Sequence, residues 1–300
     1  MIRSAVLAVT DRTVTRKLIT DTRAGRAVAD RFVAGDTLDS AVAVAVELND
    51  AGMSVSLDHL GEHVLDMAEA ERATATYLAC LDQIATAGID SNISIKLTQL
   101  GLGLDNDAAA SHLDALARAA SSSGTTVTVD MEESEHTDAT VDMYAAAQKR
   151  HGNLGIAIQS YLHRSADDLD KLIPLGGHIR LCKGAYAEPN SIAYQGSDVD
   201  ASYDRLGSLL MNSSGVKPAI ATHDDDRLGR ILDLASHRKQ PWEFQMLYGV
   251  RRDRQADLVA DGYQVRVYVP YGAAWYPYLT RRMAERPANM MFFARALVGG

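Results

Sequence analysis

Eight short apolar segments, each carrying a polar residue at or near its end, recur through the chain from residue 55 onward. They are VSLD (55–58), ISIK (93–96), TVTVD (126–130), GIAIQ (155–159), HIRLCK (178–183), AIATH (219–223), EFQML (243–247) and VRVYV (265–269). Between them the patterning turns helical over 68–86, 108–120, 138–149, 167–172, 203–211, 226–235 and 255–260. Strands separated by helices in this way pair in parallel, because the crossover between parallel strands needs a dozen residues or more. Eight such units predict an α/β fold, a (βα)8 barrel of the TIM type. A barrel of 300 residues is ordinarily one domain, so 1–300 is expected to form a single one. Residues 1–50 read as a helical N-terminal arm with no strand before it. Asp36 or Thr37 would cap a helix over 38–48, and Asn49-Asp50-Ala51-Gly52 would stop it.

The strand endings carry the functional signal. Strands buried on both faces can be apolar throughout, yet these close on Asp58, Lys96, Asp130, Gln159, Lys183 with Arg180 before it, His223, Gln245 and Tyr268. Any one of them serves equally well as a helix cap or a hydrogen bonder at the rim. All eight together point to one rim lined for chemistry, since barrels place catalytic groups at the C-terminal strand ends.

Two segments say more. In RLCKGAYAEP (180–189), Arg180 and Lys183 set two cations at the end of the fifth strand, and Gly184-Ala185 keep the backbone beside them slim. A phosphate-bearing or negatively charged ring system needs such a place; a surface cation pair is the plainer alternative. In YPYLTRRMAERPAN (276–289), helical spacing puts Tyr278, Arg281, Arg282 and Glu285 on one face. Adjacent guanidiniums repel unless an anion or a carboxylate compensates, and their planar forks suit a substrate carboxylate. An ordinary solvated helix face is the alternative here.

Composition excludes several partners. A net charge of -9 and a pI near 5.4 disfavour nucleic acid and anionic lipid. No apolar run approaches the roughly 20 residues that span a bilayer. The opening MIRSAVLAV is too short an apolar stretch for a secretory leader, which predicts a cytoplasmic protein. Cys80 and Cys182 stand too far apart in sequence to suggest a disulfide framework or a metal site. HLGEH (59–63) matches an inverted zinc-protease spacing, but it follows a strand and contains Gly61, so no metal is expected. Gly101 and Gly103 lack the third glycine of a dinucleotide fingerprint, which disfavours NAD.

Lys96 after SIKL, Asp130 after VTVD, RLCKGAY, ATHD (221–224), EFQMLYG (243–249), YVPYG and the Tyr-x-x-Arg-Arg-x-x-Glu helix follow one another in this order. Over about residues 30–290 the chain resembles the proline dehydrogenases, in the short monofunctional form found in bacteria. The resemblance implies a distorted barrel whose last helix, 276–285, lies over the mouth, an FAD cofactor and L-proline as substrate, oxidised to pyrroline-5-carboxylate. It implies that Arg281, Arg282 and Lys96 grip the proline carboxylate, that Asp130 orders them, and that Tyr268, Tyr278 and Leu247 enclose the ring. On the cofactor side it implies Arg180 near flavin N5 and Gln159 at the pyrimidine edge. Lys183, Thr222 and His223 fall along the ribityl and pyrophosphate, with Gly184, Ala185, Tyr186, Gln245 and Glu285 around them. The resemblance also implies a quinone as electron acceptor, and with it peripheral association at the inner face of a membrane, although no segment reads as a membrane-binding helix. Ala187 stands where some longer members carry a tryptophan over the adenine, and Asp224 where Asn is frequent. From the residues alone, Lys96 also suits the Schiff-base lysine of an aldolase-type barrel, and a catalytically silent amino-acid binder is a third reading.

Overall fold

The computed structural model describes residues 23–61 and 63–285, with residues 23–25, 27, 28 and 281–285 described by their backbone alone. Two helices precede the first strand, α1 (Arg23–Phe32) and α2 (Leu38–Asp50). The described part of the arm is therefore interrupted at residues 33–37, where Gly35 takes φ +79°. Thr37 is the cap of α2: its hydroxyl accepts from the Ser40 amide while the Ser40 side chain bonds back to the Thr37 amide.

Eight strands follow: β1 (Ser54–His59), β2 (Ser91–Ile95), β3 (Val127–Val129), β4 (Leu154–Gln159), β5 (His178–Cys182), β6 (Lys217–Ala221), β7 (Glu243–Leu247) and β8 (Val265–Tyr271). They close in sequence order into a parallel barrel, sealed by β1 against β8 from Ser54↔Arg266 to His59↔Tyr271. Six helices alternate with the strands: α3 (Met67–Ala87), α4 (Asn106–Ser122), α5 (Thr137–His151), α6 (Ser165–Leu172), α7 (Ser197–Asn212) and α8 (Asp225–Ala235). A seventh, α9 (Arg252–Ala260), precedes β8, and α10 (Trp275–Glu285) follows it. The expected (βα)8 barrel is present. The expected strand ends run slightly long: Lys96, Asp130, Lys183, Thr222 and His223 stand just past the last strand residue, in the turns that lead to the helices. Helix α7 begins six residues before the apolar periodicity does, because its first turn is polar, with Asp198 and Asp200 favoured at a helix N-terminus.

Alternation along each strand explains the barrel wall. Outward residues such as Val55, Leu57, Ile93, Ile95, Val127, Ile156, Ile158, Leu181, Ile220 and Phe244 are buried beneath the helices. The alternate set, Ser56, Asn92, Thr128, His178, Glu243 and Arg266, bonds side chain to side chain across the lumen. Gly155 faces the same way: a Cβ there would lie 2.1 Å from His178 Nε2. This lumen is polar well below the rim, and a polar lumen needs full hydrogen bonding to be tolerated.

The last helix is seated by the first. Ala29, Phe32 and Val33 of the arm cluster with Leu60, Trp275, Tyr276, Tyr278 and Leu279, and Tyr268 packs against this group. The arm also docks on the turn after β7, where Gly249 at φ +73° brings its backbone against Arg31; a Cβ would stand 1.7 Å from the Arg31 carbonyl oxygen. Among the described residues no helix is long and apolar enough to cross a membrane, and neither Cys80 nor Cys182 is in a disulfide.

Candidate functional site

A cavity of about 420 Å³ opens at the C-terminal ends of β5 to β8. Of the residues expected at a site, Arg180, Lys183, Gly184, Ala185, Thr222, His223, Gln245, Leu247 and Tyr268 line it, together with Cys182, Ala221, Asp224 and Met246. They come from four strands and the turns beyond them, which is the convergence that the polar strand ends predict.

Lys96 and Asp130 join this group through a buried network. The Asp130 carboxylate accepts from Arg180 Nη1, from the Ser94 hydroxyl at 2.8 Å and from the Tyr268 hydroxyl at 2.8 Å. Lys96 Nζ lies 3.6 Å from it. Arg180 also donates through Nε to Gln245 Oε1 and through Nη1 to Ser94 at 3.0 Å, and its guanidinium stands 5.1 Å from the centre of the Tyr268 ring. Gln245 in turn donates to Glu243 at 2.7 Å, so the rim is braced from within the lumen. Burial opposes ionisation of Asp130, but Arg180, Lys96 and the bonds from Tyr268 and Ser94 outweigh it and hold its pKa below the usual carboxylate value. Burial pushes the Tyr268 phenol well up, and the carboxylates of Asp130 and Asp58 add to this, so the phenol stays a donor.

One member of the network carries no expected role. Asp58, at the end of β1, accepts from Lys96 Nζ at 3.0 Å, and its pKa is raised by burial against the pull of Lys96. Its Oδ2 is buried with no hydrogen-bond partner among the described residues. The residue is visible in the sequence as one more polar strand ending. Its pairing is not, because it depends on the β1–β2 register that sets Asp58 beside Ser94, two residues before Lys96.

Other expected residues stand around this centre. Gln159 closes β4 and bridges two loops, accepting from the Ala185 amide at 3.1 Å and donating to the Glu132 carbonyl at 2.9 Å. Tyr186 follows Ala185 on the same turn, half-buried and outside the cavity lining. Gly184 is held at φ +131° over Tyr161; a Cβ would come within 2.3 Å of that ring. His223 Nε2 accepts the Leu247 amide at 2.9 Å, which orients the ring toward β7. Tyr278 is buried in the α10 cluster beside Tyr268. Arg281, Arg282 and Glu285 contribute their backbone to the end of α10, and their side chains lie outside the described residues. The HLGEH histidines share no helix: His59 ends β1, and His63 lies in the loop beyond it, 3.6 Å from Glu133. His63, Glu132 and Glu133 together offer atoms within 4.8 Å of one another, at a rim where His63 is exposed.

Arg180 is the residue on which a cofactor's fit can be judged. It lines the cavity, and its Nη2 is buried with no hydrogen-bond partner among the described residues. A buried guanidinium donor without an acceptor is costly, and the acceptor edge of a bound heteroaromatic ring is the kind of group that satisfies it. Lys183, Thr222 and the slim Gly184-Ala185 turn at the same cavity suit an anionic extension of that ring.

The family model described as proline dehydrogenase matches residues 41–295. The chain is 40% identical over 274 residues to "Proline dehydrogenase 1" of Bacillus subtilis subsp. natto, covering 90% of each. It is 36% identical over 307 residues to "Proline dehydrogenase" of Deinococcus radiodurans, covering 99% of this chain and 98% of that one. Among solved structures, proline utilization A from Bdellovibrio bacteriovorus, inactivated by N-propargylglycine, superposes with a TM-score of 0.81 at 24% identity. That match covers 87% of this chain and 33% of the larger protein, and at such identity it speaks for the fold alone.

Proposed function

This chain belongs to the proline dehydrogenase family, and from that premise we propose that it oxidises L-proline to Δ1-pyrroline-5-carboxylate with FAD held at the β5–β8 rim. The observation that carries the reading is the position of Arg180. One side of its guanidinium is tied to Asp130 and Ser94, and an unmet donor remains where it lines the cavity.

In this reading Lys96 joins Arg281 and Arg282 on the substrate carboxylate, and Asp130 and Asp58 hold the ammonium in place. Tyr268, Leu247 and Tyr278 give the pyrrolidine methylenes an apolar wall, and α10 with α1 behind it shuts out water. The substrate enters as the free amine, its proton released to solvent. FAD bound here would supply the electron sink for a hydride lost from proline C5, and the remaining N–H proton would leave to solvent as the C=N product forms. Arg180 faces that locus with positive charge, braced by Gln245 from below. Gln159 fixes the Ala185 turn at the pyrimidine edge, with Gly184 and Tyr186 on either side. Lys183, Thr222 and His223 serve the ribityl and pyrophosphate, and Glu285 offsets the surrounding cations. The electrons pass to a quinone, which brings the protein to the inner face of the membrane as a peripheral visitor from the cytoplasm.

The aldolase-type reading asks for a lysine activated by an apolar wall or a second cation; Lys96 instead sits between two carboxylates. Purified protein incubated with L-proline and an artificial electron-accepting dye separates the two. Proline-dependent dye reduction is expected. A borohydride-trapped adduct on Lys96, with no dye reduction, overturns the proposal.

A further inference from the structure

Lys183 is the cation that the proposed function assigns to the cofactor's pyrophosphate, yet it is already engaged twice. Its Nζ lies 2.5 Å from Asp200 Oδ1 and 2.8 Å from Asp224 Oδ2. The surroundings add no surplus of positive charge. Arg227 bonds Asp200 at 3.2 Å and Asp204 at 2.8 Å, and Arg230 bonds Asp204 at 3.1 Å. Three cations thus face three carboxylates, and this corner of the cavity is electrically balanced as it stands.

Asp224 holds a second position of the same kind. It is the N-cap of α8, and its Oδ1 accepts from the amides of Asp226 at 3.1 Å and Arg227 at 3.4 Å. A lysine and the free amides of a helix N-terminus are the two donors that a phosphate oxygen would seek here. One carboxylate uses both.

We propose that Asp224, assisted by Asp200, is an internal competitor for the cofactor's pyrophosphate: it fills the anion position between Lys183 and α8, and FAD loads only as it gives way. The inference rests on the flavin reading of this cavity. It makes Asp224 a residue that sets FAD affinity by weakening it. A pyrophosphate of about two negative charges meets a neutral corner in the wild-type chain and a corner one charge more positive when Asp224 is neutral. Asparagine is as good an N-cap as aspartate, so Asp224→Asn removes the charge and leaves the helix start intact.

The test follows FAD release from purified holoprotein on serial dilution, read by recovery of flavin fluorescence. Asp224→Asn is expected to retain FAD roughly three- to tenfold more tightly, and Asp200→Asn to change it in the same direction by a smaller factor. Asp225→Asn is the charge-matched control. This neighbouring carboxylate is exposed and pairs with Arg251 at 2.8 Å instead of with Lys183, and its removal is expected to leave FAD affinity within about twofold. Unchanged or weaker FAD binding in Asp224→Asn overturns the proposal, as does an equal gain in Asp225→Asn. Wild-type protein that carries no FAD and takes none up overturns the flavin reading itself.

Discussion

Lys96 Nζ stands 3.0 Å from Asp58 Oδ1, with both side chains nearly sealed from solvent at the first two strand ends of the barrel. Removing one partner leaves a buried charge with one fewer counter-charge, which costs far more than an exposed pair would. Asp58→Asn is therefore expected to lower kcat/KM for proline about tenfold or more. The loss should appear mainly in KM, because Lys96 then loses the nearer of the two carboxylates that hold it. Steady-state kinetics check this, and unchanged KM would detach Asp58 from the site.

Asp130 gathers Arg180, Tyr268, Ser94 and Lys96 on one carboxylate. Asp130→Ala strands several buried donors at once and is expected to cut kcat/KM on the order of a hundredfold. Tyr268→Phe keeps the ring under Arg180 and loses one hydrogen bond, for a loss of roughly three- to tenfold. Equal effects from the two would contradict a shared hub.

The lumen makes folding pH-dependent. Burial holds the His178 imidazole down to about 3, against the pull of Glu243, while an unfolded chain protonates it near 6.5. The unfolded state therefore binds the extra proton first. The stability tied to this group is complete above pH 6.5 and is lost as pH falls toward about 3, by roughly 1.4 kcal/mol per unit. Glu243 behaves alike at lower pH: burial opposes its charge, but Arg266 and Lys217 bring it from 4.5 to about 2, so its contribution fades only below 4.5. Urea unfolding between pH 6.5 and 4.5 should show the slope, and His178→Gln should flatten it.

The arm should matter to the mouth. Gly249→Ala places a Cβ against the Arg31 carbonyl oxygen at a left-handed backbone position. It is expected to cost about 2 kcal/mol or more and to expose the turn after β7 and helix α1 together to proteolysis. Wild-type resistance in that variant would show that the arm and the turn are not coupled.

Much of this molecule is legible in the sequence because β-branched runs and helical periodicity are local signals. The eight strands and the polar rim follow from them. The lumen is less legible: Ser56, Asn92, Thr128 and Glu243 are strand residues whose polarity makes sense only once parallel pairing sets each beside a polar side chain of a neighbouring strand. Asp58 and Asp224 show two further limits. The partner of Asp58 is decided by strand register. Nothing in the sequence pairs Asp224 with Lys183, because that bond joins two turns 41 residues apart. The start of α7 is hidden for a different reason, since its first turn is acidic and carries no apolar period.

On the proposed function, the β5–β8 rim brings proline and a flavin together. The visible spectrum of the purified protein, recorded without oxygen before and after L-proline is added, measures this most directly. A yellow protein whose long-wavelength flavin band bleaches on proline addition is the predicted result. A colourless protein that binds no flavin, or a flavin band that proline leaves unchanged, would contradict it.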